Sequence, residues 1–132
     1  MLENIFFKSL KNWDNKNWLS SSGYIKLFNI FLIKQAKLTK TSKIIDVGCG
    51  RGKILGHLAS KLKLKAKPLG IDLEKHKNKD RRINFKKIDA IKFFKHTNKT
   101  FDLILIKQTI HLLKIFEIKK LLIFCRNKLN HN

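Results

Sequence analysis

The sequence predicts an α/β domain built on a parallel sheet. Three observations carry that prediction: four short apolar runs, helical segments between them, and a glycine turn that closes the first run. Strands that alternate with helices pair in parallel, because right-handed crossovers return the chain to the same sheet. The 132 residues, 43% apolar and 10% aromatic, supply the core of one domain at most.

Residues 1–40 read as an N-terminal helical region. Its first part mixes Asn and Lys with Phe6, Phe7, Trp13 and Trp18, which suits a helix or arm lying on the main body. Ser20, Ser21 and Ser22 offer an N-cap for a helix over 23–38, since a hydroxyl can satisfy a free N–H of the first turn. At 100° per residue Lys26, Asn29, Lys34 and Lys37 share one arc, and the wide apolar remainder belongs against a sheet.

Residues 41–132 then read as the main domain, of alternating strands and helices. Lys43 to Gly48 is a buried strand, 52–65 a helix, and Pro68 to Leu73 a second strand. The alternating run 83–88 is a third strand, followed by a short helix near 90–95. Phe101 to Ile106 is the uninterrupted fourth. Ile115, Ile118, Leu122, Cys125 and Leu129 recur at helical spacing and mark the expected core face of a last helix. The charged run 74–82 reads as a solvated loop between strands two and three.

Charge and cysteine content narrow the function. Thirty Lys and Arg against nine Asp and Glu give +21, which excludes an acidic, calcium-buffering surface. Only four of the thirty are Arg, the residue favoured for forked phosphate and base contacts, so the excess reads as lysine-rich background. Cys49 and Cys125 stand apart with no zinc spacing, which points to a reducing interior and a cytoplasmic protein. No leader pattern opens the chain, and no apolar run approaches the roughly 20 residues that a membrane span requires.

The chemistry is written in four strand ends. Ile44-Ile45-Asp46-Val47-Gly48-Cys49-Gly50-Arg51-Gly52 is a buried strand closing in a GxGxG turn that opens a helix. Glycines there let a ligand approach the backbone. A dinucleotide fingerprint would place a glycine at 53, where this chain has Lys53. Asp46 would oppose a pyrophosphate and suit a ligand carrying an ammonium. Asp72 ends the second strand, where a carboxylate can accept ribose hydroxyls. Asp89 and Ala90 end the third, placed for an adenine edge. Asp102 opens the fourth, in a capping or pairing role, and Lys107 and Gln108 close it at the switch point beside the first.

This ordered set, over residues 41–113, resembles the class I S-adenosylmethionine-dependent methyltransferases. The resemblance implies a Rossmann-like sheet of order 3-2-1-4-5-7-6, of which 3-2-1-4 would be present here. It implies that Asp46 contacts the methionyl ammonium, with Gly48, Cys49, Gly50 and Gly52 forming the turn beneath the cofactor. It places Asp72 on the ribose, Leu73 on the adenine, and Asp89 and Ala90 at the adenine amino edge. Ile106 and Lys107 would line the methionine and methyl region, and Tyr24 would close over the cofactor. His111 stands where some small-molecule methyltransferases carry a general base, and a helix-start cap is its alternative reading.

The sequence departs from that family by stopping where strand five would begin, so a truncated member lacking the last strands is expected. Strand four would then be an exposed apolar edge and a surface for self-association. The expected activity is methyl transfer from S-adenosylmethionine to an unidentified acceptor, a small molecule being favoured. A non-catalytic cofactor-binding or interaction fragment, and a basic RNA-associated methyltransferase, remain the alternatives.

Overall fold

The structure is a computed structural model and describes residues 22–107 and 110–130. The expected arm over 1–18 and the caps Ser20 and Ser21 lie outside the described residues, as do Gln108 and the side chain of His111. In order the elements are α1 (Ser22–Gln35), β1 (Ile44–Val47), α2 (Lys53–Leu62), β2 (Leu69–Asp72), β3 (Asn84–Lys87), α3 (Ala90–His96) and β4 (Leu103–Ile106). A one-turn 3-10 helix (Ile110–Leu112) and α4 (Ile115–Asn127) complete them. The four strands form one parallel sheet of order β3-β2-β1-β4, as the alternation of strands and helices predicts.

Each face of the sheet carries two helices. Ile44 and Leu105 face α1 and α2, packing with Leu32, Leu55 and Leu58. Ile45, Val47 and Ile71 point the other way, against Phe93 and Phe94 of α3 and Leu121 and Cys125 of α4. All four residues of β1 are buried, which is why that strand has no polar alternation. Each such aliphatic side chain contributes about 1.5–3 kcal/mol by leaving water. Asp46 is the exception within that strand, and its presence there has to be explained by the site.

Three expectations fail in detail. Asn29 was expected on the solvated arc of the first helix, but it is fully buried, its Nδ2 donating to Ile54 O at 3.0 Å and to His57 Nδ1 at 2.8 Å. It joins α1 to α2 through polar contacts that hydrophobic periodicity cannot register.

The last helix faces the core through Leu121 and Cys125, whereas Ile115 is 74% and Leu122 48% exposed. α4 is apolar over most of its circumference, so spacing alone could not choose its inner face.

Nor is the 74–82 loop wholly solvated. Arg82 grips Asp80 through Nε and Nη2 at 2.9 and 2.7 Å and reaches Ser60 Oγ at 2.9 Å. The Asp80 carboxyl lies against Gly56, where a Cβ would collide with it, so the loop is clamped onto α2.

Beyond α4 the backbone returns to the sheet. Leu129 bridges Phe101 in parallel, with Phe101 N–H donating to Lys128 O at 2.8 Å and Asn130 N–H to Phe101 O at 2.7 Å. Asp102 fastens this corner in the structural role expected of it, accepting from Lys43 N–H at 2.7 Å and from Asn130 Nδ2 at 3.0 Å. Among the described residues no strand pairs with the outer edge of β4.

Candidate functional site

The carboxyl ends of β1, β2 and β3 surround a cavity of about 300 Å³. Open parallel sheets bind ligands at this end. Of the residues singled out from sequence, Gly48, Asp72, Leu73, Asp89 and Ala90 line it. Leu73 is 63% exposed, an apolar face open to a planar ligand. Ile71, Ile88 and Leu113 form apolar walls, with Leu112 from the 3-10 helix at the lining. The two leucines were not foreseen; their signal was an apolar pair that five residues separate from the end of the fourth strand. A second cavity, of about 350 Å³, includes Lys43, Pro68 and Thr100 at the amino ends and touches none of these residues.

The glycine turn is held from within. Gly48 and Cys49 N–H both donate to Ile71 O, at 2.8 and 3.1 Å, and Gly52 N–H donates to Cys49 O at 2.9 Å. Gly50 N–H donates to Asp72 Oδ2 at 2.9 Å. These four N–H groups are therefore unavailable as a phosphate cradle, and the carboxylate beside them would repel an anion. Gly52 sits at φ 78°, and a Cβ there would collide with Ile83 Cδ1. Across the sheet Gly70 leaves room for Cys49, whose Sγ would come within 2.6 Å of an added Cβ.

Asp46 and Lys107 meet on the α1–α2 face of the sheet. The register pairs Asp46 with Leu105, and Lys107, two residues on, shares that face. Its Nζ lies 2.8 Å from Asp46 Oδ2. Asp46 is 1% exposed, and its Oδ1 is buried with no hydrogen-bond partner. Burial pushes the Asp46 carboxyl above its ordinary value, the Lys107 charge and hydrogen bond pull it back, and the nearby Asp72 charge raises it.

The remaining predicted residues fall around this centre. Asp72 Oδ1 also accepts from Glu74 N–H at 3.1 Å, and His76 Nε2 stands 3.7 Å from Oδ2. Asp89 caps α3 through Lys92 N–H at 2.9 Å. The Cys49 thiol is pushed up to about 12, first by burial and then by Asp46 and Asp72, so it is a packed thiol and no nucleophile. Cys125 is buried in the core as expected. Ile106 ends β4 beside Val47, within the α3–α4 cluster. His111 has its backbone in the 3-10 helix. Tyr24 is buried in the α1–α2 contact, stacked on Phe28 at 5.5 Å between centroids.

The family profile described as "Methyltransferase domain" matches residues 38–126, more than half of the chain. No curated protein matches the sequence. Among solved structures the chain is similar to PKMT2 from Rickettsia typhi in complex with AdoHcy, at 25% identity and a TM-score of 0.60, covering 70% of this chain and 20% of that one. A SAM dependent methyltransferase from Archaeoglobus fulgidus shares 24% identity and a TM-score of 0.66 over 88% of this chain and 52% of its own. The plantazolicin methyltransferase BpumL, solved with a triazolic desmethylPZN analog and SAH, shares 24% and 0.61 over 98% and 48%. The chain thus spans about half or less of the length of these proteins.

Proposed function

Since the chain belongs to the class I methyltransferase family, we propose that it binds S-adenosylmethionine at the carboxyl ends of β1, β2 and β3 and serves methyl transfer to a small-molecule acceptor. The observation that carries this reading is the pairing of an internally bonded glycine turn with two carboxylates, Asp46 and Asp72. Such a site suits hydroxyls and an ammonium and disfavours a pyrophosphate. Bound there, S-adenosylmethionine supplies a sulfonium-activated methyl for direct in-line transfer.

The chain's own residues then have defined tasks. Asp72 accepts from ribose hydroxyls with the lone pairs that Gly50 and Glu74 leave, and Leu73 covers the adenine face. Asp89 and Ala90 border the adenine edge. Gly48, Cys49, Gly50 and Gly52 keep side chains out of the ligand's way, and Asp46 receives the ammonium through its buried, unpartnered Oδ1. Ile106 and Lys107 border the methyl-bearing end, and His111 takes a proton from the acceptor. Placement carries most of such a reaction, so few groups need act chemically.

A second reading, cofactor binding without transfer, draws support from the outer edge of β4, with which no strand pairs among the described residues. The full chain incubated with methyl-labelled S-adenosylmethionine and a small-molecule extract separates the two. Label appearing in an extract compound supports the enzyme. Retention of unreacted cofactor supports the binder, and a chain that neither labels a compound nor retains the cofactor contradicts both.

A further inference from the structure

We propose a second ligand site, for the phosphoryl group of a small phosphate monoester, in a cavity of about 360 Å³ between the start of α1, the first two turns of α2 and the 80–82 loop. This cavity shares no lining residue with the one at the strand ends, so the site stands apart from the cofactor reading.

The lining is almost wholly a set of donors. Lys26 comes from α1, Lys53 and His57 from one face of α2, and Arg82 from the loop. Asp80 is the one carboxylate in the lining, and Arg82 occupies both its oxygens, with backbone N–H and Nε on Oδ1 and Nη2 on Oδ2. Lys26 and Lys53 are exposed and form no ion pair among the described residues. Clefts lined by one sign of charge concentrate ions of the other. His57 adds a neutral donor, because its Nδ1 accepts from Asn29 Nδ2 and the ring proton is left on Nε2. Burial first, and then the charges of Lys61, Arg82 and Lys26, hold that ring below its ordinary 6.5. The N-cap of α2 is Gly52, which has no side chain to cap the helix, so the positive end of the helix adds to the same field.

Charge selects among anions. A phosphate monoester carries about −1.5 to −2 near pH 7 and matches two unpaired lysines, whereas each phosphodiester of a nucleic acid carries a single charge. Arg82 spends its Nε and Nη2 on Asp80, which leaves the lysines, compact point charges, to take the phosphoryl oxygens.

The test is an NMR titration of the isotope-labelled full chain with inorganic phosphate at constant ionic strength. Exposed charge pairs are individually weak, so a dissociation constant of about 1 mM is expected, which chemical shifts register and heat at micromolar protein does not. Shifts should saturate and centre on residues 22–26, 53–57 and 80–82, and glycerol 3-phosphate, a monoester, should compete for them. Lys26→Gln with Lys53→Gln should weaken binding about tenfold or more. Lys119→Gln with Lys120→Gln removes the same charge from the exposed surface of α4 and should change it by less than about twofold. Both variants alter exposed side chains, and the same spectra report that they fold.

Equal losses in the two variants, or shifts that are absent or never saturate, would reduce the cluster to lysine background and overturn the proposal. So would a short RNA without terminal phosphates that moves these resonances at lower concentration than phosphate does, which would make the cavity part of a nucleic-acid surface.

Discussion

The backbone N–H of Gly50 donates to Oδ2 of Asp72 across 2.9 Å, so the carboxylate at the tip of β2 holds the glycine turn at the tip of β1. One residue thereby shapes the turn and stands at the cavity wall. Asp72→Asn keeps an oxygen for Gly50 but loses the charge and the second acceptor, whereas Asp72→Ala loses both roles. Affinity for S-adenosylhomocysteine should fall in both, and the alanine variant, which loses the Gly50 bond as well as the Glu74 bond, should be less stable in urea than the asparagine variant by about 1–3 kcal/mol. Equal stability of the two variants would show that the turn does not depend on this bond.

Breaking the buried ion pair should be more damaging than deleting it. Lys107→Met leaves Asp46 charged or forces its protonation in a site that is 1% exposed, a loss of about 3–5 kcal/mol. The double variant with Asp46→Asn should regain most of that loss, read as the denaturation midpoint.

Gly52→Ala combines a left-handed backbone at φ 78° with a collision against Ile83 Cδ1. The backbone alone accounts for about 1–2 kcal/mol. Adding Ile83→Val, which removes that Cδ1, should recover the steric part and leave the backbone part. Urea denaturation of the single and double variants separates them.

The Asn29–His57 contact predicts a pH dependence. Asn29 Nδ2 donates to Ile54 O as well as to His57 Nδ1, and a carbonyl only accepts, so the amide orientation is set and the ring nitrogen must be the acceptor. Burial first, then Lys61, Arg82 and Lys26, hold the His57 pKa below its ordinary 6.5. The unfolded chain therefore binds this proton at a higher pH than the folded one. The contribution is full above the ordinary value and is lost as pH falls toward the folded one. Stability of wild type should drop between about pH 7.5 and 5.5, and His57→Leu should flatten that slope. An unchanged slope would contradict the contact's role.

α4 presents Ile115, Phe116, Leu122 and Ile123 to solvent, in two pairs spaced by seven residues and hence along one stripe. Exposed apolar stripes promote association. Ile115→Lys with Ile123→Lys should lower concentration-dependent association in sedimentation, with stability changed by no more than about 0.5 kcal/mol.

Much of this was readable before the structure. The apolar run through Ile44, Ile45 and Val47, interrupted only by Asp46, marked the central strand, and Asp72 and Asp89, singled out at the ends of the next two strands, fall in the lining of the strand-end cavity. Partnerships between distant residues were harder. Lys107 could not be paired with Asp46 from the strand order alone, since the shared face depends on the register that sets Asp46 opposite Leu105. Asn29 with His57 gave no signal either, because nothing in helical spacing tells a buried amide from a solvated one. The Asp80–Arg82 clamp was hidden in a charge run whose other members, such as Lys75 and Lys77, are exposed.

The central claim is that this strand-end site selects a nucleoside carrying an amino-acid end over one carrying phosphates. Its most direct test is calorimetry of the full chain with S-adenosylhomocysteine and, separately, with ADP. The site described here predicts saturable one-to-one binding of S-adenosylhomocysteine and no measurable heat from ADP. A folded chain that ignores S-adenosylhomocysteine, or prefers ADP, would contradict it.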